Sequence, residues 1–426
     1  MKGDIRMKAS KKVAAAALAV VALVGAACSS SSSSNDNNGG GGATGSAIKI
    51  GLVATVTGTA APQYGQPVVQ AVDAAIKQAN AAGGVGGHKL EVTVYDDATN
   101  PTQITTAVQK AVADKNVVIM SVTPLFFLAA KFPQQAGIPV VGNSDDGTEW
   151  GTQPYTNMFA SNTGSVDPSY PPSTTVGKIF KDHGGTTVCA WGYGISPSST
   201  YGAANVIYSG MAAGLKKGVL DTSIPFGSVD FTTAALAGKS AGCDSLQPTM
   251  DLNSDVSLIT ALKQAGQNLK AVVLPVGLDP ETVNSPSWSA MQGVYFQTPY
   301  RPVLVGNAGT KDLQAAMLKY ENRPTSQFPT YAIYAGWLAA ELTIKGLKLA
   351  GNNPTSASVI TALRGVTDWN GNGILSTTTN YATNFGKAAN PSCGWLLVAG
   401  KSGFTMVQNA PVCGDIISGK SGKVAP

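Results

Sequence analysis

Charge is scarce in this sequence. Only 12% of its 426 residues are Asp, Glu, Lys or Arg, only four are Arg, and only two are His. The formal net charge is +5, but Lys2, Arg6, Lys8, Lys11 and Lys12 stand against Asp4 near the start, so the remainder is nearly neutral. A nearly neutral body offers no basic stripe to phosphates, which argues against nucleic acid as a partner. His88 and His183 both lie beside glycines, in Gly87-His88-Lys89 and His183-Gly184-Gly185, without a second His or Cys at metal spacing. They read as turn residues, which leaves no metal site and no histidine base for a Ser-His-Asp hydrolase. Long apolar runs are equally scarce. Val13 to Ala27 is a run of fifteen residues. It falls short of the ~20 needed to span a bilayer, and no later segment approaches ~18.

Cofactor cradles are thin as well. Gly400-Lys401-Ser402-Gly403 has letters of a phosphate loop but joins two apolar runs, with no helix to follow. After the first apolar strand, only Gly58 and Gly65 are present, with Pro62 between them. Pyrophosphate binding needs glycines closer together than that. We expect no cofactor and no catalytic set.

What is present is an alternation of strands and helices. Ile48 to Ala54 reads as a buried strand, and Val69, Val72, Ile76 and Ala79 then recur at helical spacing. Leu90–Tyr95, Val117–Met120 and Ile138–Val141 read as further strands, with helices over 102–114 and 125–136. The pattern restarts with helices over 172–182, 200–216 and 254–265 and strands at Thr186–Trp191 and Leu269–Leu274. After the apolar Pro302-Val303-Leu304-Val305, Tyr331 to Leu349 reads as a core helix. Such alternation predicts an α/β protein with two doubly wound parallel-sheet lobes.

Residues 29–46 are Ser, Asn and Gly, a flexible segment reaching ~20–25 Å. It follows the bases Lys8, Lys11 and Lys12, the apolar run, Gly25-Ala26-Ala27 and Cys28. This arrangement resembles a bacterial lipoprotein signal over residues 1–27, with Cys28 as the lipid-bearing residue and 28–46 as a tether. It departs from the pattern at Gly25, where an apolar residue such as Leu is usual; an ordinary secretory signal is the alternative. Four cysteines remain, an even number that suits disulfides outside the cytoplasm. A hairpin turning at Gly400–Gly403 would bring Cys393 beside Cys413, leaving Cys189 for Cys243; alternatively Cys189 is a buried strand thiol.

The body resembles the branched-chain amino acid type of periplasmic binding protein, the Leu/Ile/Val-binding component of ABC importers. The resemblance rests on Ile48–Val53 leading to Thr57-Gly58 and Tyr64-Gly65, on Asn80 to Gly87, on Tyr95-Asp96-Asp97, and on Ala136-Gly137-Ile138-Pro139-Val140. Tyr201-Gly202, Asp255-Val256-Ser257 and Leu262 to Gly266 continue it, and it weakens after 365. It implies two lobes joined by three crossovers: 47–161 with about 303–388, and 162–302 with about 389–414, followed by a tail over 415–426. Solute would bind between the lobes, and the protein would work as a monomer handing solute to a membrane permease.

In open α/β sheets, ligands sit at the carboxyl ends of strands. Those ends carry Gln63 and Tyr64, Ser121 and Thr123, Asn143 and Ser144, and, in the second lobe, Tyr193 and Tyr201. The resemblance implies that Ser121 and Thr123 hold a carboxylate and that Glu281 or Asp279 holds an ammonium. Asn143-Ser144-Asp145-Asp146-Gly147-Thr148-Glu149-Trp150 departs from that plan, because acids there would repel an anion. Either this loop points away or the solute is polar and neutral, or cationic, with Trp150, Phe126 or Phe127 as a stacking surface; the two phenylalanines read alternatively as core. A ligand-sensing receptor of the same fold is a second reading, and a secreted α/β hydrolase a third.

Overall fold

The computed structural model describes residues 45–145, 147–163, 171–325, 329–384 and 392–418. Cys28 and the leader therefore lie outside the described residues. The first strand, β1 (Ile48–Ala54), is buried everywhere but at Lys49, as a strand covered on both faces must be. It pairs in parallel with β2 (Leu90–Asp96) and β3 (Val118–Val122), and β4 (Val140–Gly142) and β5 (Met158–Ala160) complete a sheet in the order β2-β1-β3-β4-β5. α1 (Gly65–Ala81) lays Val68, Val72 and Ile76 on one face. α2 (Pro101–Ala113) and α3 (Lys131–Ala136) cover the other. Asn100 starts α2 by accepting from the N–H groups of Thr102 and Gln103, with Pro101 preset for the first turn. The single helix expected over 125–136 is instead a 3-10 turn, Phe126–Leu128, followed by α3. Pro133 has no N–H and fits only the first turn of a helix, so α3 starts just before it.

The second sheet is built next. α4 (Thr175–Asp182), β6 (Thr187–Tyr193) and α5 (Pro197–Ala212) are followed by β7 (Lys216–Ile224), α6 (Thr232–Ala241), β8 (Ser245–Leu246) and α7 (Leu252–Gln264). β9 (Ala271–Leu274), the short helices α8 (Pro280–Val283) and α9 (Trp288–Met291), and β10 (Tyr295–Thr298) close this stretch. The helix expected over 200–216 ends earlier. Gly214 takes φ of +91°, a left-handed conformation that suits glycine, and Lys216 already belongs to β7. β7 is the sheet's edge and largely polar, so no apolar run announced it.

The chain then returns to the first lobe. A 3-10 turn at Val303–Val305 precedes α10 (Ala308–Glu321), whose start is a reciprocal capping box of Asn307 and Thr310. α11 (Tyr331–Leu349) is the central helix of that lobe, with Trp337, Leu338 and Leu342 inside the core shared with β1, β3 and α1. Gly336 lets α11 meet α1 closely, since a Cβ there would come within 2.5 Å of the Val68 carbonyl oxygen. α12 (Ser356–Arg364) and α13 (Tyr381–Asn384) finish the layer. Finally β11 (Cys393–Gly400), β12 (Gly403–Met406) and β13 (Val412–Cys413) join the second sheet, in the order β12-β11-β10-β9-β8-β6-β7 with β13 on β11. Each sheet thus has apolar clusters on both faces. Cys189 on β6 is bonded to Cys243 just after α6, and Cys393 is bonded to Cys413 across the β11–β13 pair. The chain passes between the lobes three times, and the passage after β10 lies wholly within the described residues.

Candidate functional site

The site is built from loops that leave the carboxyl ends of the strands. After β1 the loop is clamped by two acids at the end of β2. Asp97, fully buried, accepts from the Thr55 hydroxyl at 2.9 and 3.1 Å and from the Thr99 N–H at 2.8 Å. Asp96 accepts from the N–H groups of Val56 and Thr57 and, at 2.6 Å, from the Thr57 hydroxyl. Burial pushes the Asp97 carboxyl up, while the hydroxyls of Thr123 and Thr55 and the Thr99 N–H counter it only in part. This clamp fixes the segment carrying Thr59, Gln63 and Tyr64.

After β4, Asn143 and Asp145 face the first turn of α11. Asp145 accepts hydrogen bonds from Tyr64 at 3.0 Å, from Tyr331, and from Asn143 Nδ2 at 3.3 Å. Asn143 Nδ2 also donates to the Tyr331 hydroxyl oxygen at 2.8 Å. Tyr331 stands edge-on to Tyr64 with ring centroids 5.8 Å apart, and Tyr300 is 6.0 Å from Tyr331. Burial, with the Asp145 charge next, pushes the Tyr331 and Tyr300 phenols well above their ordinary range, so both stay protonated donors.

On the second lobe, Asp251 caps α7 by accepting from the N–H groups of Asn253 and Ser254. It also accepts from the Tyr193 hydroxyl and, at 3.0 Å, from the Ser254 hydroxyl. Asp279 accepts from the Thr282 N–H at 2.8 Å. Between the lobes, Thr59, Ala60, Pro62, Gln63 and Tyr331 face Asp251, Leu252, Asn253, Gly277 and Asp279 across a cleft enclosing about 20 Å³. That is space for roughly one water, so a solute enters only if the lobes part. A larger hollow of about 450 Å³, lined by Lys49, Glu91, Lys115 and Asn116 among others, lies at the amino ends of β1 and β2. It is away from the strand ends where such folds bind ligands, and we do not assign it to the site.

Of the residues expected in the site, the structure brings Gln63 and Asp279 to the cleft lining and Tyr64 and Asn143 to the cluster behind Tyr331. Tyr193 is turned onto Asp251 and Ser254. Ser144 gives both its N–H and its hydroxyl to Asn162 Oδ1, each at 3.0 Å. Thr123 serves the Asp97 clamp and accepts from the Leu125 N–H. Ser121 is buried with a hydroxyl that meets no hydrogen-bond partner among the described residues. Tyr201 is half-buried in the first turns of α5, and the Glu281 side chain lies outside the described residues. The stacking surface expected from Trp150 is corrected, and Phe126 takes its core alternative: both are buried in the cluster between the first sheet and α2. The acidic loop does not simply point away, because Asp145 is turned in under Tyr331.

Sequence reasoning missed Asp251, Asn253 and Tyr331. The signal for Asp251 was an acid followed by helical spacing, the mark of a cap. Two further motifs carry letters without context. Gly238-Lys239-Ser240-Ala241-Gly242 has hydrolase spacing, but it closes α6 with Gly242 left-handed, whereas a nucleophile needs a strand-to-helix turn. Gly414 to Ser421 has phosphate-loop spacing, but the N–H groups of Gly414, Asp415 and Ile417 are already given to Ser392, Thr174 and Pro172. His183 stacks on Tyr295 and shares a 2.8 Å hydrogen bond with its hydroxyl. Among the described residues no three His, Cys, Asp or Glu side chains form a metal-binding group.

A family model described as periplasmic binding protein matches residues 47–401. A leucine-, isoleucine-, valine-, threonine- and alanine-binding protein of Pseudomonas aeruginosa is 46% identical over 67 residues, 16% of this chain and 18% of the relative. The Leu/Ile/Val-binding protein of Escherichia coli is 37% identical over 67 residues, with the same shares of 16% and 18%. These curated relatives are thus matched over less than a fifth of their length. Among solved structures, a leucine-binding protein from Thermotoga maritima superposes with a TM-score of 0.70 at 16% identity, covering 85% of this chain and 98% of that one. A fatty acid ABC transporter substrate-binding protein from Thermomonospora curvata gives 0.68 at 16%, covering 87% and 93%. A solute-binding protein from R. palustris in complex with benzoate gives 0.68 at 17%, covering 89% and 100%. Identities this low speak for the fold alone, two parallel-sheet lobes, while the family match spans most of the sequence. The chain belongs to the periplasmic binding protein family.

Proposed function

We propose that this protein is the solute-binding component of an ABC importer, tethered through lipid on Cys28 to the outer face of a cell membrane. It captures a small solute between its lobes by hinge closure and delivers it, as a monomer, to a membrane permease. The observation that carries this reading is the cleft itself. Its walls come from the carboxyl ends of strands in two separate sheets, so a bound molecule touches both lobes at once. Contacts from both sides are what make closure stabilise binding.

Two experiments test the reading. The protein, unfolded and refolded free of small molecules, is incubated with a metabolite extract, separated and examined by mass spectrometry. One small molecule retained per chain is expected; retention of none would remove the solute-binding role. For the anchor, the mass of the mature amino terminus should show diacylglycerol on Cys28, and its absence leaves a freely secreted binding protein.

A further inference from the structure

We propose that the solute is an organic cation, a protonated amine without a carboxylate of its own, received by Asp145 and Asn143 on the first lobe and by Asp251 and Asp279 on the second. This rests on the solute-binding reading above and narrows it to a chemical class.

Two independent features carry the assignment. The first is charge. Asp251 and Asp279 line one wall of the cleft, Asp145 lies directly behind Tyr331 on the other, and among the described residues no Lys, Arg or His lines it. A solute bearing a carboxylate meets like charge on both sides, whereas an ammonium meets opposite charge on both. The second is Asn143, which is 1% exposed. Its amide group is spent on Tyr331, Asp145 and the nearby Tyr300 phenol, but its Oδ1 meets no hydrogen-bond partner among the described residues. A buried acceptor is costly unless a donor reaches it, and this one sits beside a carboxylate. An ammonium brings three N–H donors together with the compensating charge. A carboxylate brings only acceptors, and an amide brings donors without charge. The rings of Tyr64, Tyr331 and Tyr300 gathered around Asp145 add electron-rich faces that favour the same ion.

The test is calorimetric titration of the refolded, solute-free protein with chemically matched probes. Ethanolamine, putrescine and butylamine represent the amines; ethylene glycol, urea, acetamide, leucine and benzoate represent neutral, zwitterionic and anionic solutes. At least one amine is expected to bind tenfold or more tightly than every probe of the second group. Asp145→Asn and Asp251→Asn should each weaken that amine tenfold or more. Asn keeps the cap on α7, so Asp251→Asn carries the test even where Asp145→Asn fails to fold. Binding of leucine, urea, acetamide or benzoate with no binding of any amine overturns the cation assignment and leaves solute binding standing. Amine binding that survives both substitutions unchanged overturns the placement. A molecule retained from the extract that proves neutral or anionic also overturns it, whereas an empty extract experiment removes the solute-binding reading itself.

Discussion

The Tyr331 hydroxyl donates to the Asp145 carboxylate, tying the first turn of α11 to the loop after β4 across 186 positions of sequence. The same hydroxyl accepts from Asn143, so one phenol organises the whole cleft-side cluster of the first lobe. Removing that oxygen leaves a carboxylate and an amide short of a partner. Tyr331→Phe should lower stability by about 1.5–3 kcal/mol, the range for a hydrogen bond to a charged group. Urea unfolding at pH 7 checks this, and an unchanged midpoint would mean the cluster reorganises freely.

Glu341, on α11, gives a pH signature. Burial raises its carboxyl to about 7, with the nearby Asp312 adding to the shift and Lys348 opposing it. Below about pH 4.5 the group is protonated in both folded and unfolded chains. Between there and pH 7 the unfolded chain ionises first, so stability is lost as pH rises. Glu341→Gln should therefore be more stable than the parent by roughly 1–3 kcal/mol at pH 8 and indistinguishable from it at pH 4. Melting temperatures of the pair across that range decide it.

The two disulfides differ in access. Cys189 and Cys243 are fully buried, while Cys413 is exposed and Cys393 half-buried. Mild reductant on the native protein should open the 393–413 bond alone, read by alkylation and peptide mass. The 189–243 bond closes a span of 54 residues. Replacing both of its cysteines with Ala should cost about 2–5 kcal/mol.

Asp97→Ala strips the clamp from the loop that carries Gln63 and Tyr64. It leaves the buried Thr55 hydroxyl and the Thr99 N–H without their acceptor. The expected loss is about 2–4 kcal/mol, since orphaned buried donors retain their full desolvation cost. Hydrogen exchange should show faster labelling at 55–64 before any global change; uniform labelling would refute a local clamp.

Much of the fold was legible because it is written in apolar spacing. β1, α1 and α11 each bury an apolar stripe or run, and the residues alone marked them to within a few positions. β7 and α10 were passed over for the opposite reason. β7 is a polar edge strand, and α10 declares itself mainly through a capping box of Asn and Thr, residues common in any loop. The site was legible only in outline. Strand ends pointed to Gln63, Tyr64, Asn143 and Asp279, but Tyr331 and Asp251 enter through helix starts more than a hundred residues from their partners or on the facing lobe. Trp150 looked like a stacking surface because aromatic character does not reveal which face of a sheet a loop residue returns to.

The return of α10–α13 to the first sheet also fixes when each lobe can exist. The core over β1 and β3 is closed by Trp337, Leu342, Trp369 and Tyr381, and the second sheet lacks β11 and β12 until the chain has run past residue 400. Neither lobe can be completed before nearly the whole polypeptide is available. Until then the apolar faces of β1 and β3 lack the cover that Trp337, Leu342, Trp369 and Tyr381 give them.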